Sequence, residues 1–371
     1  MSEPKIEGKT SASADDGARN IDFVPADTEN FFDKYTEGLR ILAEGAQAET
    51  GLTPKEIVWT KNKAKLYRYQ PAREKKYKTP ILIVYALINR PYVLDLVPGN
   101  SLIEYLTDQG FDVYMLDWGI PGDEDSDLSF EHYVLDYIPR AAKKVMRTSG
   151  TDDLTLFGYC MGGTMSAMYA SLFPDTLKNL ILMTAPTAFP KEALGLYALF
   201  TNDKYLKPGL LADAFGNIPG EIIDTGNRMM KPVTNYVGTY VNMWERLFED
   251  KPMEGWLAMN KWVNDGPPFP GAAFKQWITE FYQQDKLIKG EIHLRGRRVD
   301  LSNIKAPLLN IAGARDHICT IPQAEATMNA VGSEDKEFFV QEAGHVGLMT
   351  GRGAKKGLWP KVNDWLAERS N

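Results

Sequence analysis

The stretch DLTLFGYCMGGT, residues 153–164, joins an apolar run to a turn in which two glycines flank one cysteine. The apolar run predicts a strand that is covered on both faces, and the small residues after it predict a sharp turn into a helix that begins near Met161. Gly158 and Gly162 suit this turn because a Cβ atom at either position would collide with neighbouring chain. The helix dipole favours a thiolate at Cys160. The sequence therefore predicts a reactive cysteine at the end of a buried strand.

Short apolar runs of the same kind recur on both sides of this stretch. They are TPILIVYAL (79–87), FDVYMLDW (111–118), KNLILMTA (178–185) and APLLNIAG (306–313). Segments with helical spacing lie at 31–42, 101–109, 129–147, 164–173 and 359–369. Strands that alternate with helices form parallel βαβ units with right-handed crossovers. A period of two in IVWTKNKAKLYRYQP (57–71) predicts an antiparallel hairpin at the edge of the sheet.

The segment 187–289 interrupts the alternation and is rich in Trp, Met, Pro and Gly. Because the strand pattern resumes at Ala306, we interpret the segment as a helical lid or cap inserted over the carboxyl edge of the sheet. A strand, a glycine-flanked nucleophile and a helix form the nucleophile elbow of α/β-hydrolase folds. The predicted class is therefore α/β, an α/β-hydrolase fold with a mostly parallel central sheet. The polar residues 1–24 are predicted to be disordered, which leaves 25–371 as the catalytic domain.

Composition excludes several classes of function. The chain has 371 residues, 44% of them hydrophobic, and a formal net charge of -7, which argues against general nucleic-acid binding. The beginning lacks a secretory pattern and the two cysteines predict free thiols, so we expect a cytoplasmic protein. No apolar run is long enough for a membrane span. Metal and phosphate motifs are absent from the sequence, and we therefore expect no metal and no cofactor.

In this fold the acid and the base follow the nucleophile in the chain, each after a later strand. Asp316 follows the run APLLNIAG, and His345 follows KEFFVQ. We favour His345 as the base, although His317 competes with it, because His317 adjoins the acid and adjacent residues point in different directions. His132 and His293 are interpreted as structural or surface residues. Asp316 as a mere turn residue stays an alternative, and Cys319, which lacks an elbow, is interpreted as a packing residue.

Two backbone N–H groups are predicted to form an oxyanion hole, that of Met161 and one in the loop after the first predicted parallel strand. Ile88 is the predicted donor in that loop, and Asn89 is a possible alternative and a candidate substrate-binding residue. The alternative that the sequence INRP (88–91) simply ends a strand stays open. Sulfur at the elbow also bears on the chemistry, because an acyl-cysteine is still a thioester. The stored acyl group stays activated, which suits a chain-building acyltransferase better than a hydrolase.

The sequence resembles the catalytic subunit of polyhydroxyalkanoate synthases. The motifs that carry the resemblance are GYCMGGT, YMLDWGIPG, LINRPYVLDL, DHI followed by Pro322, AGHVG and FYQQDKL. It extends over 31–365, and the length and short N-terminal region are most similar to the class III form, with class IV close. The residues VGLMTGRG after His345 follow the short forms.

The resemblance implies polymerisation of (R)-3-hydroxyacyl-coenzyme A, such as 3-hydroxybutyryl-coenzyme A, with release of coenzyme A. It implies that Cys160 is acylated and that His345 activates it. Asp316 would orient His345 or help to deprotonate the 3-hydroxyl group of the incoming unit. The family also implies homodimers, a second non-catalytic subunit, and attachment to polyester granules in the cytoplasm.

Two other functions remain open. One is a cysteine-nucleophile hydrolase of the same fold, either a thioesterase or similar to dienelactone hydrolase. The other is a non-catalytic α/β-hydrolase-fold binding module. The basic segments 61–78 and 293–300 are interpreted as solvated faces, with binding of coenzyme A phosphates as the alternative.

Overall fold

An eight-stranded sheet runs through the protein in this computed structural model, which describes residues 28–45, 47–71 and 73–371. The strands are β1 (Lys55–Lys61), β2 (Ala64–Tyr69), β3 (Ile81–Val84), β4 (Val113–Asp117), β5 (Leu154–Tyr159), β6 (Leu177–Met183), β7 (Leu308–Gly313) and β8 (Lys336–Gln341). Their spatial order is β1-β2-β4-β3-β5-β6-β7-β8. Strand β2 is antiparallel to both neighbours, and the other adjacent pairs are parallel. Residues 1–24, for which disorder is predicted, lie outside the described residues.

The predicted parallel strands are confirmed, and their burial explains why they read as continuous apolar runs. Every residue of β3, β5 and β7 is buried, because helices cover both faces of the sheet there. The hairpin of β1 and β2 is also confirmed, and β1 is the exposed edge strand with a mixed burial pattern. The mostly parallel sheet of an α/β-hydrolase fold is thus present.

Helices connect and cover the strands. They are α1 (Thr28–Glu44), α2 (Leu102–Asp108), α3 (Ile138–Ser149), α4 (Met161–Leu172), α5 (Tyr197–Phe200), α6 (Pro208–Phe215), α7 (Gly220–Arg228), α8 (Thr239–Phe248), α9 (Glu254–Val263), α10 (Gly271–Gln276), α11 (Ile321–Ala330) and α12 (Trp359–Ala367). A wider helical turn, Tyr133–Tyr137, leads into α3, and Gly150 ends that helix at a φ of 70°. In each predicted helical segment a helix is present.

The segment 187–289, which we call the insertion, contributes α5 to α10 and lies between β6 and β7. Its described part contains a single isolated β-bridge, between Ile218 and Phe269, and is otherwise helical or irregular. Trp277 anchors it to the rest of the protein by stacking on Phe130, with the ring centroids 5.5 Å apart. That the insertion acts as a lid stays a prediction.

Helix α1 packs on α8 of the insertion rather than on the sheet. Gly38 lies so close to α8 that an added Cβ atom would stand 2.2 Å from the ring of Trp244. The predicted apolar face contacts α8 in part, because Phe31 and Tyr35 stack on Phe248 and Trp244 with ring centroids 5.2 and 5.5 Å apart. Phe32 and Leu42 are exposed instead, and the buried contact is made by Ile41 and by Gly38, which admits the indole because it has no side chain.

Candidate active site

The elbow between β5 and α4 holds Cys160 in a strained conformation, with a φ of 54° and a ψ of -130°. The tightness of the turn explains its glycines. A Cβ atom on Gly158 would lie 2.4 Å from the Cα atom of Gly163, and one on Gly162 would lie 2.3 Å from the carbonyl oxygen of Val84. The backbone N–H of Cys160 donates to a carbonyl of β6 at 3.0 Å. The turn thus presents the cysteine at the carboxyl edge of the sheet.

The structure brings Cys160, Asp316 and His345 together from three separate loops. Asp316 follows β7, His345 follows β8, and the Nδ1 atom of His345 lies 2.7 Å from Oδ2 of Asp316. Cys160 lies close enough to the imidazole to be one of the groups that raise its pKa. The side chain of Asp316 has no exposed surface, and that of His345 is 8% exposed. The arrangement is a cysteine, a histidine and a carboxylate in series.

The carboxylate of Asp316 is fully occupied by hydrogen-bond donors. Its Oδ1 atom accepts from the backbone N–H groups of Ile318 at 2.8 Å and Cys319 at 3.0 Å. Its Oδ2 atom accepts from the hydroxyl of Thr184 as well as from His345. An ionised carboxylate only accepts hydrogen bonds and offers about four lone-pair positions. The proton of a neutral His345 therefore lies on Nδ1, which leaves Nε2 for Cys160.

Charges in this cluster stabilise each other. Burial would lower the pKa of His345, but the charges of Asp316 and Cys160 and hydrogen bonds to both residues outweigh burial and raise that pKa to about 10. Burial would raise the pKa of Asp316, and the charge of His345, together with its hydrogen bonds, holds that pKa below its usual range. The cluster therefore favours an ionised Asp316 beside a protonated imidazole.

Tyr159 packs against the imidazole and Tyr85 packs against Tyr159, and the sequence pattern selects neither of them. Tyr159 donates its hydroxyl to the backbone oxygen of His345 at 3.0 Å and presents its ring to the imidazole edge at 5.3 Å. Tyr85 stacks on Tyr159 at 5.3 Å. Tyr159 ends a buried strand and Tyr85 follows one, and this position is the sequence signal that points to them. Thr184, directly after β6, has the same kind of position and is not selected by its residue type either.

The predicted oxyanion donors also lie beside the cysteine. Ile88, Asn89 and Met161 all line the cavity that contains Cys160. Among the described residues, no hydrogen bond uses the backbone N–H of Ile88 or of Met161. Both N–H groups are therefore available for a ligand, although their role stays a prediction.

The remaining histidines and the second cysteine lack this setting. His317 is half-buried at the cavity wall, where burial and the nearby charge of Lys231 lower its pKa. The Nδ1 atom of His132 accepts a hydrogen bond from the backbone N–H of Ser129 at 3.1 Å. His293 is exposed. Cys319 is fully buried, and burial raises its pKa. The carboxylate of Asp316 is thus paired with His345 and not with His317.

A cavity of about 710 Å³ extends from Cys160 into the insertion. Aromatic side chains of the insertion form much of its wall, namely Tyr197, Trp256, Trp262, Trp277 and Tyr282. No described lysine or arginine of 61–78 or 293–300 lines it. Several of those cations pair with carboxylates instead, as Lys63 does with Asp125 at 2.7 Å and Arg68 with Asp112 at 3.0 Å. This pairing favours the interpretation of both segments as structural, solvated faces.

Within the described part of the chain, no group of three or more His, Cys, Asp or Glu side chains is arranged to hold a metal ion. None of the helices described has the length and apolarity that crossing a bilayer requires.

Comparison of the sequence with known proteins identifies related chains. Residues 79–352 match the family model of the alpha/beta hydrolase fold, and residues 46–106 match that of the poly-beta-hydroxybutyrate polymerase (PhaC) N-terminus. The chain is 43% identical to the poly(3-hydroxyalkanoate) polymerase subunit PhaC of Haloferax mediterranei, over 88% of this chain and 66% of that one. The protein of the same name from Synechocystis sp. is 36% identical over 92% of both chains. That of Thiocystis violacea is 36% identical over 92% of this chain and 96% of its own length.

Solved structures with the same fold have distant sequences. A soluble variant of monoglyceride lipase from Saccharomyces cerevisiae aligns with a TM-score of 0.54 and 14% identity, over 88% of this chain and 98% of the lipase. Monoacylglycerol lipase from Paleococcus ferrophilus aligns with a TM-score of 0.50 and 19% identity, over 82% of this chain and 99% of that one. These likenesses agree with the eight-stranded sheet and concern the fold alone.

Proposed function

The chain belongs to the family of poly(3-hydroxyalkanoate) polymerase subunits called PhaC, and on that premise we propose that it takes acyl groups from (R)-3-hydroxyacyl-coenzyme A. Members of this family are acyltransferases that polymerise hydroxyalkanoates, and this chain is such an enzyme. The proposed donor is 3-hydroxybutyryl-coenzyme A, and each addition releases one coenzyme A. The observation that carries the proposal is the 2.7 Å hydrogen bond from His345 to Asp316, which leaves Nε2 of the imidazole for Cys160.

Acylation of the enzyme requires the thiol proton of Cys160 to lie on Nε2 of His345, which gives a thiolate beside the protonated imidazole that the cluster favours. The thiolate attacks the acyl carbonyl, and the oxyanion accepts hydrogen bonds from the N–H groups of Ile88 and Met161. When the intermediate collapses, the bond to the sulfur of coenzyme A breaks, and the proton on His345 goes to that sulfur. One thioester is exchanged for another, so the energy of the acyl group is kept.

Chain growth reverses the flow of the proton. The 3-hydroxyl group of the next unit gives its proton to His345, and its oxygen attacks the thioester carbonyl on Cys160. The carbon–sulfur bond breaks, an ester forms, and the thiol of Cys160 is restored with the proton held by His345. The proposal needs no metal and no cofactor, because the coenzyme A thioester is itself the activated substrate.

Asp316 acts in this proposal by orienting His345 and not by deprotonating the substrate hydroxyl. Its side chain has no exposed surface, and it does not line the cavity. Four donors already occupy its lone pairs. A hydroxyl group of the substrate would have to displace one of these donors to reach it. These observations support His345 as the base in both half-reactions.

The insertion is proposed to keep water from the acyl-enzyme. An acyl-cysteine exposed to water would be hydrolysed, and the chain would be lost. Trp256, Trp262 and Trp277 give the cavity an apolar wall that disfavours bulk water. We therefore assign the insertion the role of a lid that closes over the growing chain.

The proposed partners are a second copy of the chain, a non-catalytic synthase subunit and the polyester granule in the cytoplasm. The related proteins carry the word subunit in their names, which supports a hetero-oligomer. Large apolar side chains are exposed on the insertion, among them Tyr205 at 65%, Leu210 at 69% and Val233 at 74%. Such a surface supports contact with an apolar partner.

The experiment that tests this function follows both products from 3-hydroxybutyryl-coenzyme A. We expect coenzyme A release accompanied by insoluble polyester, and a Cys160→Ala variant that is folded but releases no coenzyme A. A hydrolase would release an equal amount of free 3-hydroxy acid, and a binding module would release nothing. Retained turnover in Cys160→Ala, or free acid as the main product, would refute the proposal.

A thiol-labelling experiment separates an activated cysteine from an inert one without any substrate. Cys160 lines the cavity next to His345, whereas Cys319 is fully buried. Iodoacetamide at neutral pH should label Cys160 much faster than Cys319, as read from the two cysteine peptides by mass spectrometry. Equal and slow labelling of both thiols would favour the non-catalytic alternative.

A further inference from the structure

Thr184 lies directly after β6, between the strand that carries Cys160 and the strand that carries Asp316. It is fully buried, and it adopts a φ of 47°. A positive φ is a rare and strained conformation for a β-branched residue. Its backbone N–H is held by the carbonyl oxygen of Ile311 in β7 at 2.7 Å. A strained residue at this place suggests a role for its side chain.

The hydroxyl group of Thr184 lies between the acid and the base. It donates to Oδ2 of Asp316, and its oxygen is 3.3 Å from Nδ1 of His345. A hydroxyl has one proton to donate and two lone pairs that accept. Because Asp316 only accepts, the proton of Thr184 is directed to the carboxylate, and its oxygen faces the Nδ1–H group of His345.

We propose that Thr184 is a positioning residue for acyl transfer, which holds the carboxylate of Asp316 so that Oδ2 stays aligned with Nδ1 of His345. The inference rests on the proposed function, because it concerns the same histidine. The backbone N–H groups of Ile318 and Cys319 hold the Oδ1 end of the carboxylate. Thr184 holds the other end, and together they prevent rotation of the carboxylate away from the imidazole.

Position 184 needs a residue that adopts a positive φ and that also holds a hydroxyl donor in a fixed direction toward Asp316. Other residues meet these two requirements less well than threonine. Glycine at position 184 would adopt the positive φ without strain, but it would leave one lone pair of Asp316 without a donor. Serine would supply the hydroxyl with more rotational freedom, since threonine is stiff about χ1. Valine has the shape of threonine and lacks the donor. Valine and serine therefore separate the hydroxyl from the shape of the side chain.

Thr187 provides a matched control in the same loop. It is also fully buried, and its hydroxyl bonds to that of Thr327 at 2.7 Å, away from the three candidate catalytic residues. A Thr187→Val substitution removes a buried hydroxyl bond of the same kind. Any loss of activity that both Thr184→Val and Thr187→Val show is structural in origin.

The experiment compares Thr184→Val, Thr184→Ser and Thr187→Val with the unchanged chain. We expect Thr184→Val to lower kcat for coenzyme A release by about 10²-fold with little change in KM, as for a misaligned catalytic group. Thr184→Ser should recover most of kcat, and Thr187→Val should keep it. The rate of iodoacetamide labelling of Cys160 should follow the same order. The downfield proton NMR signal of the His345 Nδ1–H group should weaken only in Thr184→Val.

Wild-type kcat, labelling rate and Nδ1–H signal in Thr184→Val would overturn the inference. If Thr184→Val does not fold, Thr184→Ala replaces it in the comparison with Thr184→Ser, and equal rates in those two variants overturn the inference as well. Labelling and the NMR signal need no substrate, so they report on Thr184 even if turnover in Cys160→Ala refutes the proposed function.

Discussion

At the residue scale, the chemistry depends on a proton that passes between Cys160 and His345 while Asp316 holds the imidazole. The imidazole lies in a setting that by itself disfavours a positive charge, and two neighbouring negative groups reverse that preference. The same contacts keep Asp316 ionised. Each charged side chain is therefore more stable beside its partner than it would be as an isolated charge at the same burial.

This cluster predicts a pH dependence for His345. Its pKa is raised to about 10, whereas the pKa of His317 is lowered, so we expect the ring signal of His345 to titrate at a higher pH than that of His317. A group whose pKa is raised on folding stabilises the folded state below its unfolded pKa of about 6.5 and loses that contribution as the pH rises toward the folded value. Replacement of Asp316 by asparagine removes a negative charge while burial remains, and the pKa of His345 should fall.

Proton NMR of the ring signals checks this prediction. Asp335→Asn serves as the control, because Asp335 is an exposed acid paired with Arg369. The control should leave the titration of His345 unchanged. A His345 signal that titrates at the same pH in the Asp316→Asn variant and in the unchanged chain would contradict the account.

The sequence reveals those site residues that follow a predicted strand and whose side chains are chemically reactive or titratable. Cys160, Asp316 and His345 have that pattern, and the structure places them together, although their catalytic roles stay predictions. Thr184 occupies an equivalent place after β6, but threonine after a strand is unremarkable in a sequence. Its importance depends on a positive φ and on a contact with a residue far away in the chain, and neither is visible from local pattern.

At the scale of the element, the elbow is limited by space. The second residue of α4, Gly162, approaches the backbone of β3, where an added Cβ atom would lie 2.3 Å from a carbonyl oxygen. Backbone cannot move aside as a flexible side chain can. The elbow therefore depends on the fit between α4 and β3 as much as on the strand that leads into it.

Gly162→Ala should accordingly destabilise the protein by about 1–3 kcal/mol, as overpacking does. Gly255 is the matched control, since it is the second residue of α9 and a Cβ atom added to it would meet open space, with no neighbouring atom within 4 Å. Gly255→Ala should leave stability unchanged or slightly raised. Chemical denaturation measures the free energy of unfolding of both variants. Equal values for the two would contradict the view that position 162 requires glycine for lack of space.

Helix and strand positions were largely predictable because burial on both faces leaves continuous apolar runs, whereas the packing face of α1 was predictable only in part. Its spacing selects Phe31 and Tyr35, which stack on α8, but also Phe32, Leu39 and Leu42, which are exposed. The packed face is decided by Gly38 and the ring of Trp244, which are distant in sequence. A pattern that counts apolar side chains gives no weight to a glycine at a contact.

At the scale of the whole molecule, most of the exposed large apolar residues in the described part of the chain belong to the insertion and to α1. Exposed large apolar residues occur throughout α6 to α8 of the insertion and on α1, which packs against it. The cavity above Cys160 is lined by the inner side of the same insertion. The insertion thus lines the cavity of the proposed chemistry and also exposes an apolar surface that suits the proposed apolar partner. The sequence does not show which residues of the insertion face the cavity and which face solvent, because the helices of the insertion lack the regular pattern of the strands.

Charge on this outer surface should weaken binding to polyester. Leu210→Glu together with Val233→Glu should reduce co-sedimentation with polyester particles, because burying a carboxylate against an apolar surface is costly. Val340→Glu on β8 is the control, since Val340 is exposed outside the insertion. Particle binding that is reduced equally by the control, or that is unchanged in the double variant, would contradict a docking role for the insertion.

The central claim is that the growing chain is carried as a thioester on Cys160, and the most direct test is to trap that species. The enzyme is mixed with 3-hydroxybutyryl-coenzyme A, quenched in acid, digested and examined by mass spectrometry. The account predicts an acyl group on the peptide that contains Cys160, which neutral hydroxylamine removes and which is absent from Cys160→Ala. Acyl groups on another residue, or polyester made by Cys160→Ala, would contradict it.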